Sequence, residues 1–128
     1  MISEFKIIVE KEYAIKDVVL ICDSEEISIT LSLDELSLKT YTGKNFYHCF
    51  GLIRKDNPLV TFFCKGSKLN VHPSSLSSQM SLGLKAYELT NGAEPSLKDV
   101  VSIFDYENEN LTNSPELQRE FFLQWMGT

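Results

Sequence analysis

The chain has 128 residues, 43% of them hydrophobic and 23% charged, and a formal net charge of −6. That length is one domain's worth with one core, and the absence of any run of about eighteen apolar residues excludes a membrane-spanning helix. The charge is lopsided: residues 1 to 87 carry ten acids and ten bases, whereas residues 88 to 128 carry eight acids against Lys98 and Arg119, so the whole excess falls in the last third. An acidic surface repels phosphate backbones and anionic headgroups and attracts basic partners, which argues against direct nucleic-acid or membrane binding.

Taken in order, Phe5 to Glu10 is rich in β-branched residues and Val18 to Cys22 is a short, continuous apolar run. Both predict strands. The polar KEYAIKD between them suits a hairpin connection, although no Asn-Gly or Asp-Gly pair specifies the turn. Ile27, Ile29, Leu31 and Leu33 alternate with Ser28, Thr30 and Ser32, the period of a strand with one wet face. Asp34 to Leu38 has no clear period, and Tyr41 to Asn45 reads as a loop. Phe46 to Ile53 places Phe46, His48, Phe50 and Leu52 on one side of a predicted strand, Lys55-Asp-Asn-Pro58 has turn chemistry, and Leu59 to Cys64 returns as a further strand. Lys65-Gly-Ser67 is a second tight turn leading to Leu69–Val71, so the first seventy residues predict an antiparallel meander.

After His72-Pro73 the texture changes to small polar residues, expected to form a loop with a short helical turn, and Leu82 to Leu89 predicts a last strand before Asn91-Gly92. Leu97, Val100, Val101 and Phe104 fall at i, i+3, i+4 and i+7 behind a Ser96/Asp99 cap, predicting an amphipathic helix. Ser114-Pro115-Glu116 is a second helix start, with Leu117, Phe121, Phe122 and Trp125 as its buried side. The expected architecture is therefore one α+β domain over residues 1–128: an antiparallel meander through the N-terminal two-thirds with two C-terminal helices packed on the sheet.

Catalytic signatures are sparse. Cys22, Cys49 and Cys64 are odd in number, widely spaced and set among apolar neighbours, as expected of reduced, buried cytoplasmic thiols rather than disulfides or metal ligands. The start, MISEFKIIVEKEY, lacks the basic and apolar blocks of a secretion signal. His48 and Cys49 are adjacent, so on a strand they face opposite ways, while Cys49 or Cys64 with His72 would need tertiary proximity. Lys65-Gly-Ser-Lys68 lacks the spacing of a phosphate loop, and the adjacent acids Glu25-Glu26 and Asp34-Glu35 read as solvated faces. The expectation is a binding protein, not an enzyme, with no cofactor and no metal. Asp105, Glu107 and Glu109 stand just beyond the predicted helix at Phe104, where the helix dipole disfavours acids. That local conflict points to them as partner-binding carboxylates, and Glu94, another acid of the last third, is expected to join them.

The series VHPSSLSSQMSLGLKAYELTNG, LKDVVSIFD and LQREFFLQWM, within Val71 to Met126, resembles immunity proteins of bacterial contact-dependent growth inhibition systems. The resemblance implies a cytoplasmic α+β protein that binds the C-terminal toxin domain, often a nuclease, delivered by a neighbouring cell, and occludes its active site. The implied partner is a cognate basic protein toxin. Two other classes fit the composition: a small acidic secretion chaperone, which predicts a dimer with an apolar groove, and a Cys/His-dependent enzyme.

Overall fold

A computed structural model describes residues 1–34, 36–74 and 79–127. The fold is α+β, and its first half is built on a five-stranded antiparallel sheet of order β4-β3-β2-β1-β5. Strands β1 (Ile2–Lys11), β2 (Ala14–Asp23) and β3 (Ser28–Asp34) are the first three expected, and β4 (Ser37–Thr42), which takes in part of the predicted loop at Tyr41, continues the antiparallel meander. The β1–β2 loop is only Glu12-Tyr13, both at positive φ (52° and 66°), the geometry of a type I′ turn made without the usual Asn or Gly. Alternation works as the sequence predicts: Ile7 and Val9, Val18, Leu20 and Cys22, and Ile29 and Leu31 point to one face and are buried. Strand β4 sits where the sequence shows no clear period, because as an edge strand most of its residues stay exposed.

The stretch Phe46 to Ile53 is a helix, not the predicted strand. Helix α1 (Phe46–Asp56) starts at Asn45, whose side-chain oxygen accepts the His48 backbone N–H at 2.7 Å, and carries Arg54 and Lys55 in its last turn. Phe46, Cys49, Phe50 and Ile53 recur at helical spacing and are at most 1% exposed. The helix lies on the inner face of the sheet and carries the chain from β4, at one edge, to β5 (Thr61–Phe62), which adds to β1 at the other. Only two residues of the predicted Leu59–Cys64 strand pair in this way.

A smaller antiparallel sheet, order β6-β7-β8, completes the fold with β6 (Val71–His72), β7 (Lys85–Glu88) and β8 (Val100–Ser102). Strand β7 lies within the predicted Leu82–Leu89. Of the loop expected after Pro73, residues 75–78 fall outside the described ones and 79–81 are helical. The predicted helix after Ser96 is a single 3-10 turn, Leu97–Asp99, that runs straight into β8. The Asp99 carboxylate accepts the Ser96 N–H at 2.8 Å, so the expected cap residues do start a turn. The β-branched pair Val100-Val101 then pairs with Ala86 and Tyr87 instead of continuing it, and Leu97 is 88% exposed.

The two sheets meet at the 3-10 turn Lys65–Ser67, where Gly66 N–H donates to Ile103 O at 2.8 Å and Lys65 N–H to Asp105 O at 2.8 Å. Behind it Phe50 packs edge-on against Phe62 and Phe104, and Phe104 meets Phe5 at 5.0 Å.

Helix α2 (Pro115–Gly127) begins as predicted, the Ser114 hydroxyl accepting the Leu117 N–H at 3.2 Å. Its buried side differs from expectation. Leu117 is 48% exposed, Phe121, Phe122 and Trp125 are half-buried, and the one fully buried residue is Gln118. Gln118 Oε1 accepts from Arg54 Nη2 at 2.6 Å and Nε2 donates to Gly66 O and Lys68 O. Among the described residues no helix is long and apolar enough to cross a membrane.

Candidate functional site

The acidic segment does not follow a helix. Residues 105–112 run beside residues 63–69, bridged at Cys64–Tyr106 and Lys68–Leu111, with a bend at Asn110 where φ is 59°. Glu107 N–H donates to Phe63 O, Leu69 N–H to Asn110 O and Thr112 N–H to Ser67 O. Tyr106 stacks on Phe63. The dipole argument that singled out Asp105, Glu107 and Glu109 therefore has no helix to act on, and their placement is a matter of this backbone lacing.

The segment divides its carboxylates into two kinds. Glu107 turns inward: its Oε1 lies 3.0 Å from Lys68 Nζ and 3.3 Å from Lys65 Nζ, and its Oε2 accepts the N–H groups of Asn108 and Glu109, each at 3.1 Å. The Lys68 hydrogen bond, helped by the Glu109 N–H and by Lys65, holds its carboxyl down at about 2. Lys68 also reaches Glu88 at 3.6 Å, and Glu116 pairs with Lys55. Three acids of the last third are thus matched by lysines of the balanced first part of the chain. Asp105, Glu109 and Glu94 are exposed and make no ion pair among the described residues. Asp105 and Glu109 flank the Glu107 anchor, whereas Glu94 sits apart, beside Trp125 and Met126 at the far end of α2.

A carboxyl whose folded pKa is depressed stabilises the fold above its ordinary value, 4.5 for Glu107, and loses that contribution as pH falls towards about 2. Glu107→Gln should therefore flatten the dependence of stability on pH between those limits. Urea denaturation midpoints at pH 6 and pH 3 check this: the drop between them should be smaller in the variant than in the parent.

The thiols lie in the core. Burial pushes Cys22 and Cys64 up to about 12 and Cys49 to about 11, well outside the range of an activated nucleophile. Cys49 Sγ donates to Tyr41 O at 3.2 Å, while neighbouring His48 is exposed on another side of α1. His72 stacks on Phe122 at 4.1 Å and its Nδ1 bonds to Pro73 O at 2.9 Å. A thiol-specific reagent should find no reactive cysteine in the native protein at neutral pH and three after unfolding. One fast-reacting native thiol would restore a cysteine-based chemistry. Among the described residues no group of three or more His, Cys, Asp or Glu side chains is placed to hold a metal ion.

Sequence reasoning missed a cleft of about 380 Å³ between the first turns of α1 and α2 and the end of β6. Both histidines of the chain line it, together with Lys44 and Arg119. The single-residue signals are weak and the convergence is purely tertiary. No family model matches this chain, and no curated protein matches its sequence.

Proposed function

We propose that the protein is a bacterial immunity protein that neutralises the toxin of a contact-dependent growth inhibition system. It binds a cognate, basic, nuclease-type toxin domain in the cytoplasm through its acidic surface and blocks the toxin's active site, with no catalysis and no cofactor of its own. The observation that carries this reading is the pair of exposed carboxylates, Asp105 and Glu109, on a segment fixed by backbone hydrogen bonds to residues 63–69. Rigid, unpaired acids present negative potential at little entropic cost on binding, and such fields accelerate encounter with a cationic groove. Glu107 serves as the anchor that holds the segment, and Glu94 extends the negative field along the other end of α2. The charge excess confined to the last third and the resemblance over Val71 to Met126 favour the same reading.

The test is association with the toxin domain encoded immediately upstream, followed by stopped-flow at low and high salt. The double reversal Asp105→Lys/Glu109→Lys should slow association by about 10- to 100-fold at low salt and remove most of the salt dependence. A toxin domain that does not bind, or a reversal that leaves the association rate unchanged, overturns the reading. A dimer in light scattering would favour the chaperone class.

A further inference from the structure

The cleft between α1 and α2 has a character opposite to that of the protein as a whole. In a chain of net charge −6, its walls carry Lys44 and His48 from the start of α1, His72 from β6 and Arg119 from α2. The one acid in the lining, Glu116, is engaged with Lys55. Neither Lys44 nor Arg119 forms an ion pair among the described residues. Four basic side chains thus converge on one concave surface with no counter-charge of their own among the described residues, an arrangement that suits an anion.

The surrounding elements define the rest of the site. Residues of the first turns of the 11-residue α1 and the 13-residue α2 line the cleft, with backbone donors there already taken up by Leu82 O, Asn45 and Ser114, so the positive character comes from the side chains. Behind the wall, Arg54 is 0% exposed and its hydrogen bonds go to Gly66 O and to Gln118, with no carboxylate among its partners in the described residues. Gln118 is itself part of the cleft lining, so the buried guanidinium stands one side chain behind the floor.

We infer that this cleft is a binding site for a small phosphate-class anion, held by Lys44, His48, His72 and Arg119. The volume falls within the range of small-ligand sites, and the Tyr47 and Phe122 rings beside the cations suit a phosphomonoester with a modest organic part. The carbonyl of Pro73 is an acceptor only, so His72 Nδ1 carries a proton and Nε2 becomes a donor when the ring is protonated. Burial and the neighbouring Arg119 and Lys44 hold His72 below its ordinary range, and burial with Lys44 does the same to His48. An anion relieves that repulsion. Binding of the dianion therefore raises the titration of the two histidines, Glu116 remaining paired with Lys55.

The experiment uses the full chain, inorganic phosphate and glycerol 2-phosphate as probes, and chloride to keep ionic strength constant. Proton NMR of the histidine C2–H resonances follows binding from pH 5.5 to 8. Saturable shifts of both His48 and His72, with the His72 titration moved to higher pH, are the expected result. Arg119→Ala and Lys44→Ala should each weaken binding by about tenfold or more, the loss of one charge-assisted hydrogen bond. Both residues are exposed, and circular dichroism checks that the variants fold. Lys98→Ala, a surface lysine outside the cleft, should leave affinity unchanged. Tighter binding of the ester than of phosphate assigns the site to a phosphomonoester, and equal affinities assign it to free phosphate. No saturable shift at tens of millimolar probe, or equal affinity in Arg119→Ala, overturns the inference.

Discussion

Gln118→Ala should destabilise the fold by about 3 to 5 kcal/mol, the cost of leaving a buried charge short of a partner, with α2 undocked from the rest of the domain. Gln118 is 1% exposed and ties three elements together: it accepts from Arg54 of α1 and donates to carbonyls of Gly66 and Lys68 at the seam between the sheets. Arg54 is the larger liability. Burial pushes its guanidinium down to about 10, so it stays charged at neutral pH, and its Nε has no hydrogen-bond partner among the described residues. Among the described residues it is further supported by Gly66 O at 3.0 Å and the face of Phe50, 5.0 Å away. Removing Gln118 takes away the Nη2 acceptor and opens a void beside it. Arg54→Met, which removes the charge and keeps the volume, should cost only about 1 to 2 kcal/mol, for the unmatched Gln118 oxygen. In the Arg54→Met background, Gln118→Ala should then lose most of its effect. Denaturant unfolding of the two single variants and the double variant measures the coupling. A Gln118→Ala cost below about 1 kcal/mol, an ordinary neutral hydrogen bond, would refute the account.

Gly66→Ala should cost about 2 to 3 kcal/mol, towards the upper end for overpacking a filled core. A β-carbon built at Gly66 would stand 2.8 Å from Ile103 Cβ, 3.0 Å from Ile103 O and 3.3 Å from Phe50 Cδ2. Two of those atoms belong to the residue whose carbonyl accepts the Gly66 N–H, so relief requires moving the strand-to-strand seam itself. The same glycine's carbonyl receives both Arg54 and Gln118. Displacing it strains the polar network as well as the core, and the two effects should not add independently. Thermal unfolding of Gly66→Ala beside Gly92→Ala gives a control of a different kind: Gly92 has open space around it but φ of +78°, so its cost is conformational only, about 1 kcal/mol. Equal losses at the two positions would argue against close approach as the cause at Gly66.

The asymmetry of charge has two structural outcomes. Part of the excess acid is absorbed by lysines from the balanced half, at Glu107, Glu88 and Glu116. Of the rest, Asp99 caps the turn at Ser96, Glu120 is exposed on α2, and Asp105, Glu109 and Glu94 are the exposed side chains that the proposed function uses. Meanwhile the cleft concentrates bases at the junction of two helix starts. Neither arrangement follows from the net charge of −6, which counts charges without placing them.

What the amino-acid order determined by itself was everything local and strongly periodic: the first three strands, the Ser114-Pro115 helix start, the burial of the three cysteines and the location of the acid excess. These depend on spacing of two residues in a half-buried strand or on caps within three residues, interactions a short window contains. Where two periods fit the same residues, tertiary structure decided. Phe46 to Ile53 satisfies alternation as readily as helical spacing, and its core stripe is disguised by Arg54, a charge in an apolar position. Only the sheet that covers it and the Gln118 that satisfies it make the helix the better answer. After Ser96 the i, i+3, i+4, i+7 pattern was equally real, yet β7 offered Val100 and Val101 a strand partner, and β-branched residues gain more there than in a lengthened helix. The cleft was illegible for the same reason: Lys44, His48, His72 and Arg119 are up to 75 positions apart in the sequence, and nothing short of the packed chain brings them to one place.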